Sequence, residues 1–417
     1  MGAPGSDRGN LDFFCAVTIV GLLAGVAGLV TTFVLRAVQH ATYNYSFGAL
    51  LAGVAASSPI RRIVGPMIGA ALAGLGWWLL RRRAQVPPLA PTIAAREPVP
   101  RLSWSVDALL QVLLVGSGAS LGREGAPRQF AAALSDLGTG WLKRLSPSDR
   151  EVLLACAAGA GLGAVYAVPR AGALFSVRIL LNTWRPRAVG AALLSSGLAV
   201  AVGLATTRDQ SNLQWPIEES TYLLTAHGLL LAPVTFAVGL AFNRLMAAAR
   251  PARPMRTALL IPALAGAGLV MGICSHWWPE LPGNGRSILT VSLDSGLTLL
   301  SALAILALKP LLTALFLRAG GAGGLLTPSL ATGAAAGAAL VLMINWATGT
   351  HLHVPAVSLA GAAGVLAVTQ GSPIWAAIFV WELARPPLWL FLLFLLTATT
   401  AHGLKVLAQG RSTTHAG

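Results

Sequence analysis

The sequence predicts an all-α protein that crosses a membrane many times. Three observations carry this. Apolar residues make up 55% of the 417-residue chain and charged ones 10%, with a mean hydropathy of +0.71, a balance outside the soluble globular range. Apolar stretches at 12–36, 188–206, 222–248 and 387–409 are long enough to span a bilayer. No run alternates in strand fashion. The 46 Gly and 25 Pro interrupt the apolar stretches, leaving shorter ones such as 106–121 and 373–384. Short, broken segments read as helices that stop inside the membrane, which is tolerated only where irregular backbone lines a protein-buried cavity.

Taken in order, residues 1–11 are polar and read as a cytoplasmic N-terminal tail. Residues 12–36 lack a small-residue cleavage site, so they read as a retained first helix rather than a signal peptide. Met-Gly-Ala-Pro-Gly-Ser at the start fits a myristoylation pattern superficially, but a chain that spans the membrane does not need that anchor. Arg81-Arg82-Arg83 and the Pro-rich stretch 84–102 read as a cytoplasmic-side connection. Residues 207–221 and 275–288 are polar connections, and nothing after 410 is long enough for an accessory domain. The expected division is 12–206 and 207–410 as two halves of one membrane domain, with a tail at 411–417 and both termini cytoplasmic.

The formal net charge is +15. In a soluble chain this would suggest nucleic acid. Here the basic residues cluster at segment ends, as at Arg61-Arg62, Lys143-Arg144 and Arg250, Arg253 and Arg256. That placement suits orientation and lipid contact, and a positive field would also attract anions. Nucleic acid is excluded as a partner. Cys15, Cys156 and Cys274 are scattered without metal-ligand spacing and read as small core residues. No cofactor or metal site is indicated.

Two segments repeat an order of residues. Ala160–Phe175 and Ala363–Phe379 each run from a small-residue helix to a proline, Pro169 or Pro373, with phenylalanine six places later. Each follows a Gly-rich loop, Gly122–Gly125 or Gly320–Gly324. Glu124 precedes Pro169 by 45 residues and Leu326 precedes Pro373 by 47. Paired broken segments in two halves point to a transporter with its site at the repeat interface.

The chemistry-bearing residue is Glu124, in Gly-Ser-Gly-Ala-Ser-Leu-Gly-Arg-Glu-Gly-Ala-Pro-Arg (116–128). An ionisable residue at membrane depth usually faces a water-filled path or a partner. Glycines on both sides let backbone approach a ligand, and a helix start just after it offers N–H groups to an anion. The carboxylate is either a helix cap or a stand-in for the anion it competes with. The second Gly-rich loop, Arg318-Ala-Gly-Gly-Ala-Gly-Gly-Leu325, leads into Leu326-Thr327-Pro328 and a second helix start. Two such starts, each carrying partial positive charge, would make a cage of N–H donors that binds a small anion weakly enough for release.

With these motifs in order, the chain resembles the CLC family of chloride channels and chloride/proton antiporters, as a short prokaryotic-type member without accessory domains. Leu121-Gly-Arg-Glu-Gly125 is similar to the family's Gly-Arg-Glu-Gly-Pro signature, and Gly324-Leu-Leu-Thr-Pro328 to its Gly-x-Phe-x-Pro signature. The order fits from about residue 12 to 409. The resemblance implies a CLC-type inverted repeat of tilted, broken transmembrane helices, a homodimer with one pathway per subunit, and a bacterial cell membrane. It implies Glu124 as the gating and proton-passing glutamate. It implies anion-binding amides at Arg123, Glu124 and Gly125 and at Leu325, Leu326 and Thr327, supported by Gly122, Gly323 and Gly324.

The chain departs from the family pattern in four places. The signature proline is shifted by one, to Pro127, which a first helical turn still accepts. The segment that supplies an inner-gate serine aligns with Pro87-Pro88-Leu89-Ala90-Pro91, which has none. No tyrosine follows Tyr222 to serve as the inner gate. The inner proton-transfer glutamate aligns with Ile179, beside Arg178, whose charge favours anions over protons. The expected function is passage of chloride or a similar small anion with weak or absent proton coupling, the alternative being a chloride/proton antiporter with a water-mediated inner route. An intramembrane enzyme built on Ser117 or Ser120 with His276, or on a metal at His351 and His353, is disfavoured because no Gly-x-Ser-x-Gly or His-Glu-x-x-His motif is present.

Overall fold

The computed structural model of the chain describes residues 4–46, 48–206, 215 and 224–414. These residues form seventeen α-helices: α1 (Pro4–Tyr43), α2 (Leu50–Ala56), α3 (Pro59–Arg83), α4 (Leu89–Ala94), α5 (Arg101–Gly116), α6 (Gly125–Thr139), α7 (Pro147–Tyr166), α8 (Pro169–Leu174), α9 (Pro186–Thr206), α10 (Leu224–Ala249), α11 (Leu260–Cys274), α12 (Arg286–Leu293), α13 (Leu299–Arg318), α14 (Leu326–Thr348), α15 (Val354–Gln370), α16 (Pro373–Ala384) and α17 (Leu390–Thr414). A π-helical turn at Phe175–Leu180 continues α8. The expected all-α, multi-pass membrane class holds.

Among the described residues seven helices are long and apolar enough to cross a membrane. Four coincide with the apolar stretches seen in the sequence. The other three lie at Pro59–Arg83, Leu299–Arg318 and Leu326–Thr348. Their apolar character is diluted by Arg61, Arg62 and Pro66 in α3, by Lys309 and Pro310 in α13, and by glycine and alanine in α14. The short helices α5 and α16 are where broken segments were expected. The connection at 207–221 lies outside the described residues apart from Trp215.

Residues 4–11 form the first turns of α1, and 411–414 the last of α17. Once an apolar helix exists, each added residue gains a hydrogen bond with no new nucleation, so polarity alone does not end it. The stretch 84–102 is not all linker, because it holds α4.

The chain divides into two compact units that interleave along the sequence. The first gathers described residues within 1–36, 79–112 and 124–212, the second those within 37–78, 113–123 and 213–417.

In the first unit α7 is the centre. Ser146 caps it, its Oγ accepting from Asp149 N at 3.0 Å while Asp149 Oδ2 accepts from Ser146 N at 3.3 Å, a reciprocal capping box. Pro147 takes the first helical position, where no N–H is missed. From Leu153 to Tyr166 nearly every residue is buried. Glycine permits this: a Cβ on Gly161 would meet Pro127 O of α6 at 2.5 Å, so α6 and α7 approach backbone to backbone.

In the second unit α14 and α15 pack the same way. Gly333 faces Gly361 O, and Gly361 in turn faces Gly333 O. The Nδ1 of His353 accepts from Ala356 N at 3.2 Å and so caps α15. That gives His353 a structural use as a helix cap.

Lys309 of α13 is fully buried in this unit. Its Nζ donates to Leu281 O at 2.9 Å and to Gly283 O at 2.7 Å, fastening the turn that precedes α12. A buried ammonium needs such acceptors. Lys309→Met would leave both carbonyls without that donor, at a cost of about 1–3 kcal/mol. Thermal unfolding of the detergent-solubilised variant should show a lower midpoint than the native chain.

Candidate functional site

The first Gly-rich loop leaves α5 and is fixed by the second unit's own backbone. Gly118 has φ +110, a conformation that favours glycine. Its carbonyl accepts from Gly283 N at 2.9 Å. Ser120 Oγ lies 3.0 Å from Thr313 Oγ1 and donates to Lys309 O at 3.3 Å. The turn stapled by Lys309 therefore also holds the loop that leads to Glu124.

The next contact brings the two Gly-rich loops together. Gly122 N donates to Gly324 O at 2.7 Å, and Gly324 N donates to Gly122 O at 2.8 Å. Among the described residues this is the one β-type pairing. Beside it, a Cβ on Gly323 would stand 2.8 Å from Leu121 Cβ, so the pairing requires glycine there. The two loops, far apart in sequence, are joined as a two-bond bridge, with Arg123 following on one side and Leu325 on the other.

A helix leaves each loop. Leu325 is the N-cap of α14, and Leu326 and Thr327 open it. Glu124 is the N-cap of α6, and Gly125 opens it. Neither N-cap uses a side-chain cap, in contrast to α7, α13 and α15, which are capped by Ser146, Thr298 and His353. The capping reading of Glu124 is thus not the one the geometry supports. The Pro127 shift is accommodated in the first turn of α6, where a missing N–H breaks no helical bond.

Glu124 is fully buried. Its Oε2 accepts from the hydroxyl of Tyr166, the last residue of α7, at 3.4 Å. Its main-chain oxygen accepts from Arg128 Nε at 2.8 Å, and the Arg128 guanidinium lies 5.1 Å from the Phe175 ring centroid. A second polar group buttresses the start of α6. Gln111 Nε2 donates to Asp107 Oδ2 at 2.7 Å and to Gln129 Oε1 at 2.8 Å, and all three residues are buried. The Oε1 of Gln111 sits against the Cα of Gly125.

The remaining expected residues lie on other elements. Pro88 is the N-cap of α4, with Trp104 Nε1 donating to Pro87 O at 3.0 Å. Arg178 and Ile179 lie in the π-helical turn, where Arg178 is exposed and donates to Asn182 Oδ1 at 2.5 Å, and Ile179 is half-buried. Tyr166, Arg128, Asp107 and Gln111 were not singled out from the sequence. The signals were present. A lone tyrosine in a Gly/Ala/Val helix needs a partner for its hydroxyl, and Asp107 and Gln111 stand at i,i+4 on one helix face.

The family model described as voltage gated chloride channel matches residues 93–405. This chain belongs to that family. It is 27% identical over 387 residues to the voltage-gated ClC-type chloride channel ClcB of Salmonella typhimurium, covering 88% of this chain and 89% of the relative. The ClcB of Escherichia coli K12 is likewise 27% identical over 388 residues, covering 87% and 90%. Among solved structures, a slow cyanobacterial Cl−/H+ antiporter superposes with a TM-score of 0.78 at 19% identity, over 94% of this chain and 95% of that one. A CLC-type fluoride/proton antiporter gives 0.71 at 19%, over 94% of each. These superpositions place the chain in the family fold.

Gly125→Ala should be disruptive. Its Cβ would strike Gln111 Oε1, forcing apart the bonds to Asp107 and Gln129 at a cost of about 1–3 kcal/mol. Gly190→Ala, where an added Cβ meets nothing within 4 Å, should leave the thermal midpoint unchanged or higher. Equal midpoints for the two variants would show that the Gln111 contact is not a constraint.

Proposed function

We propose that this chain carries chloride or a similar small anion across the membrane, along a path gated by Glu124, with weak or absent coupling to protons. The observation that carries the reading is Glu124 itself. It is a buried carboxylate at the N-cap position of a helix, its side chain not spent on capping that helix, in a chain of the voltage-gated chloride channel family. In this reading the backbone amides of Arg123, Glu124 and Gly125, and those of Leu325, Leu326 and Thr327, are the anion's donors. Helix starts favour anions through aligned N–H groups and partial positive charge. Gly122, Gly323 and Gly324 support this by keeping side chains out of the bridge between the loops.

The same reading takes residues 12–206 and 207–410 as two inverted halves. Its support is a shared local pattern. α7 is followed by Ala167 with φ +54 and α8 starts on Pro169, while α15 is followed by Gly371 with φ +70 and α16 starts on Pro373. We further propose a homodimer in a bacterial cell membrane with cytoplasmic termini. The ClcB relatives are bacterial. Weak coupling follows from the residues on the inner side: proline at Pro88 without a serine, and Ile179 beside exposed Arg178 where the family pattern carries carboxylates. A second reading, chloride/proton antiport through a water-mediated inner route, draws on the two solved antiporters that share the fold.

The test is paired chloride efflux and proton uptake from liposomes holding the purified native chain or Glu124→Gln. Chloride should leave down its gradient without driving protons uphill, and Glu124→Gln should change the rate. Uphill proton movement that stops in Glu124→Gln would establish the antiporter reading. Absence of anion flux from both proteins, across several pH values and anions, would overturn transport altogether.

A further inference from the structure

We infer that Tyr166 is a positioning residue that helps to latch the Glu124 carboxylate in its buried, path-blocking position, and so raises the amount of anion needed to displace it. The inference rests on the gating role proposed for Glu124.

The geometry pins Glu124 at two points. Arg128 Nε holds its main-chain oxygen at 2.8 Å and is steadied by stacking on Phe175, so the backbone at the start of α6 stays put. The side chain is then the part that can move. The Tyr166 hydroxyl restrains its carboxylate from the α7 side, donating to Oε2 at 3.4 Å. Tyr166 is itself held. It is 4% exposed and ends α7, where Ala167 turns into the left-handed region at φ +54 and Val168 N donates to Gly163 O at 3.1 Å. A non-glycine residue in that conformation persists only where its surroundings fix it. The phenol therefore stands on a rigid corner and meets a movable carboxylate.

The energetic consequence is competition. Where carboxylate and anion contend for one set of donors, the apparent affinity for anion is scaled down to the fraction of protein whose carboxylate has moved away. A hydrogen bond to the ionised side chain lowers that fraction. Removing the hydroxyl raises it, and the effect falls on half-saturation rather than on maximal flux. A hydroxyl that only fills space or satisfies itself would change stability or maximal flux instead.

The experiment measures chloride flux against chloride concentration in liposomes for the native chain, Tyr166→Phe, Glu124→Ala and the double variant. Tyr166→Phe should lower the half-saturating chloride concentration by about threefold, with maximal flux kept. In the Glu124→Ala background, where no carboxylate remains to be latched, the same change should have no effect. Tyr166→Met provides a second hydroxyl-free side chain should the phenylalanine variant insert poorly, and it should behave alike. Equal half-saturation in the native chain and the hydroxyl-free variants overturns the latch. So does a threefold fall that recurs in full with Glu124→Ala, because the hydroxyl would then act on the anion itself. If Glu124→Ala alone leaves both half-saturation and flux at native values, the gating role fails and the latch with it. That result is distinct from a failure of the latch alone.

Discussion

Irregular backbone at membrane depth has to find hydrogen-bond partners inside the protein, and the pairing of Gly122 with Gly324 is where this chain meets that demand. Each glycine gives and takes one bond. The pairing ties two loops on which two helices begin, and it tolerates no side chain at Gly323, where Leu121 closes the space. Lys309 extends the same solution outward. By binding the carbonyls of Leu281 and Gly283 it fixes the turn whose amide in turn holds Gly118. An expensive buried charge is thus used to order the backbone of the loop that ends at Arg123.

Close helix packing serves the same end. Hydrocarbon gives helices no hydrophobic reason to associate, so contact depends on how near the backbones come. Gly161 on Pro127 in the first unit, and Gly333 with Gly361 in the second, let helices touch through main-chain atoms. In the first unit this leaves the start of α6 with little room to shift. The Asp107–Gln111–Gln129 group then fills the polar space beside Gly125.

The parts of this arrangement that were legible in the sequence are those written in local pattern. Fold class followed from hydropathy. The two helix starts followed from glycine loops ahead of Glu124 and Leu326, and the broken helices from Pro169 and Pro373. What stayed hidden is long-range or depends on facing partners. Spacing cannot say that Gly122 pairs with Gly324, since register between distant loops is set by tertiary packing. Tyr166 was within a segment singled out for its proline, yet its hydroxyl matters only because the end of α7 aims it at α6. Three spanning helices went unmarked because arginine and proline in α3, Lys309 and Pro310 in α13, and small residues in α14 dilute their apolar pattern.

The uncapped start of α6 ties these strands to the proposed function. A Ser, Thr or Asp cap would satisfy the first-turn amides permanently, as Ser146 does for α7. A carboxylate at the N-cap that bonds to a tyrosine instead leaves the relation between side chain and amides open to exchange. Under the proposed reading that exchange is the gate. Its ease then depends in part on how firmly the carboxylate is held from the α7 side. The missing inner carboxylate at Ile179 does not enter that balance. On that reading, a carboxylate gate on the anion path does not require the residues that would pass a proton onward from it.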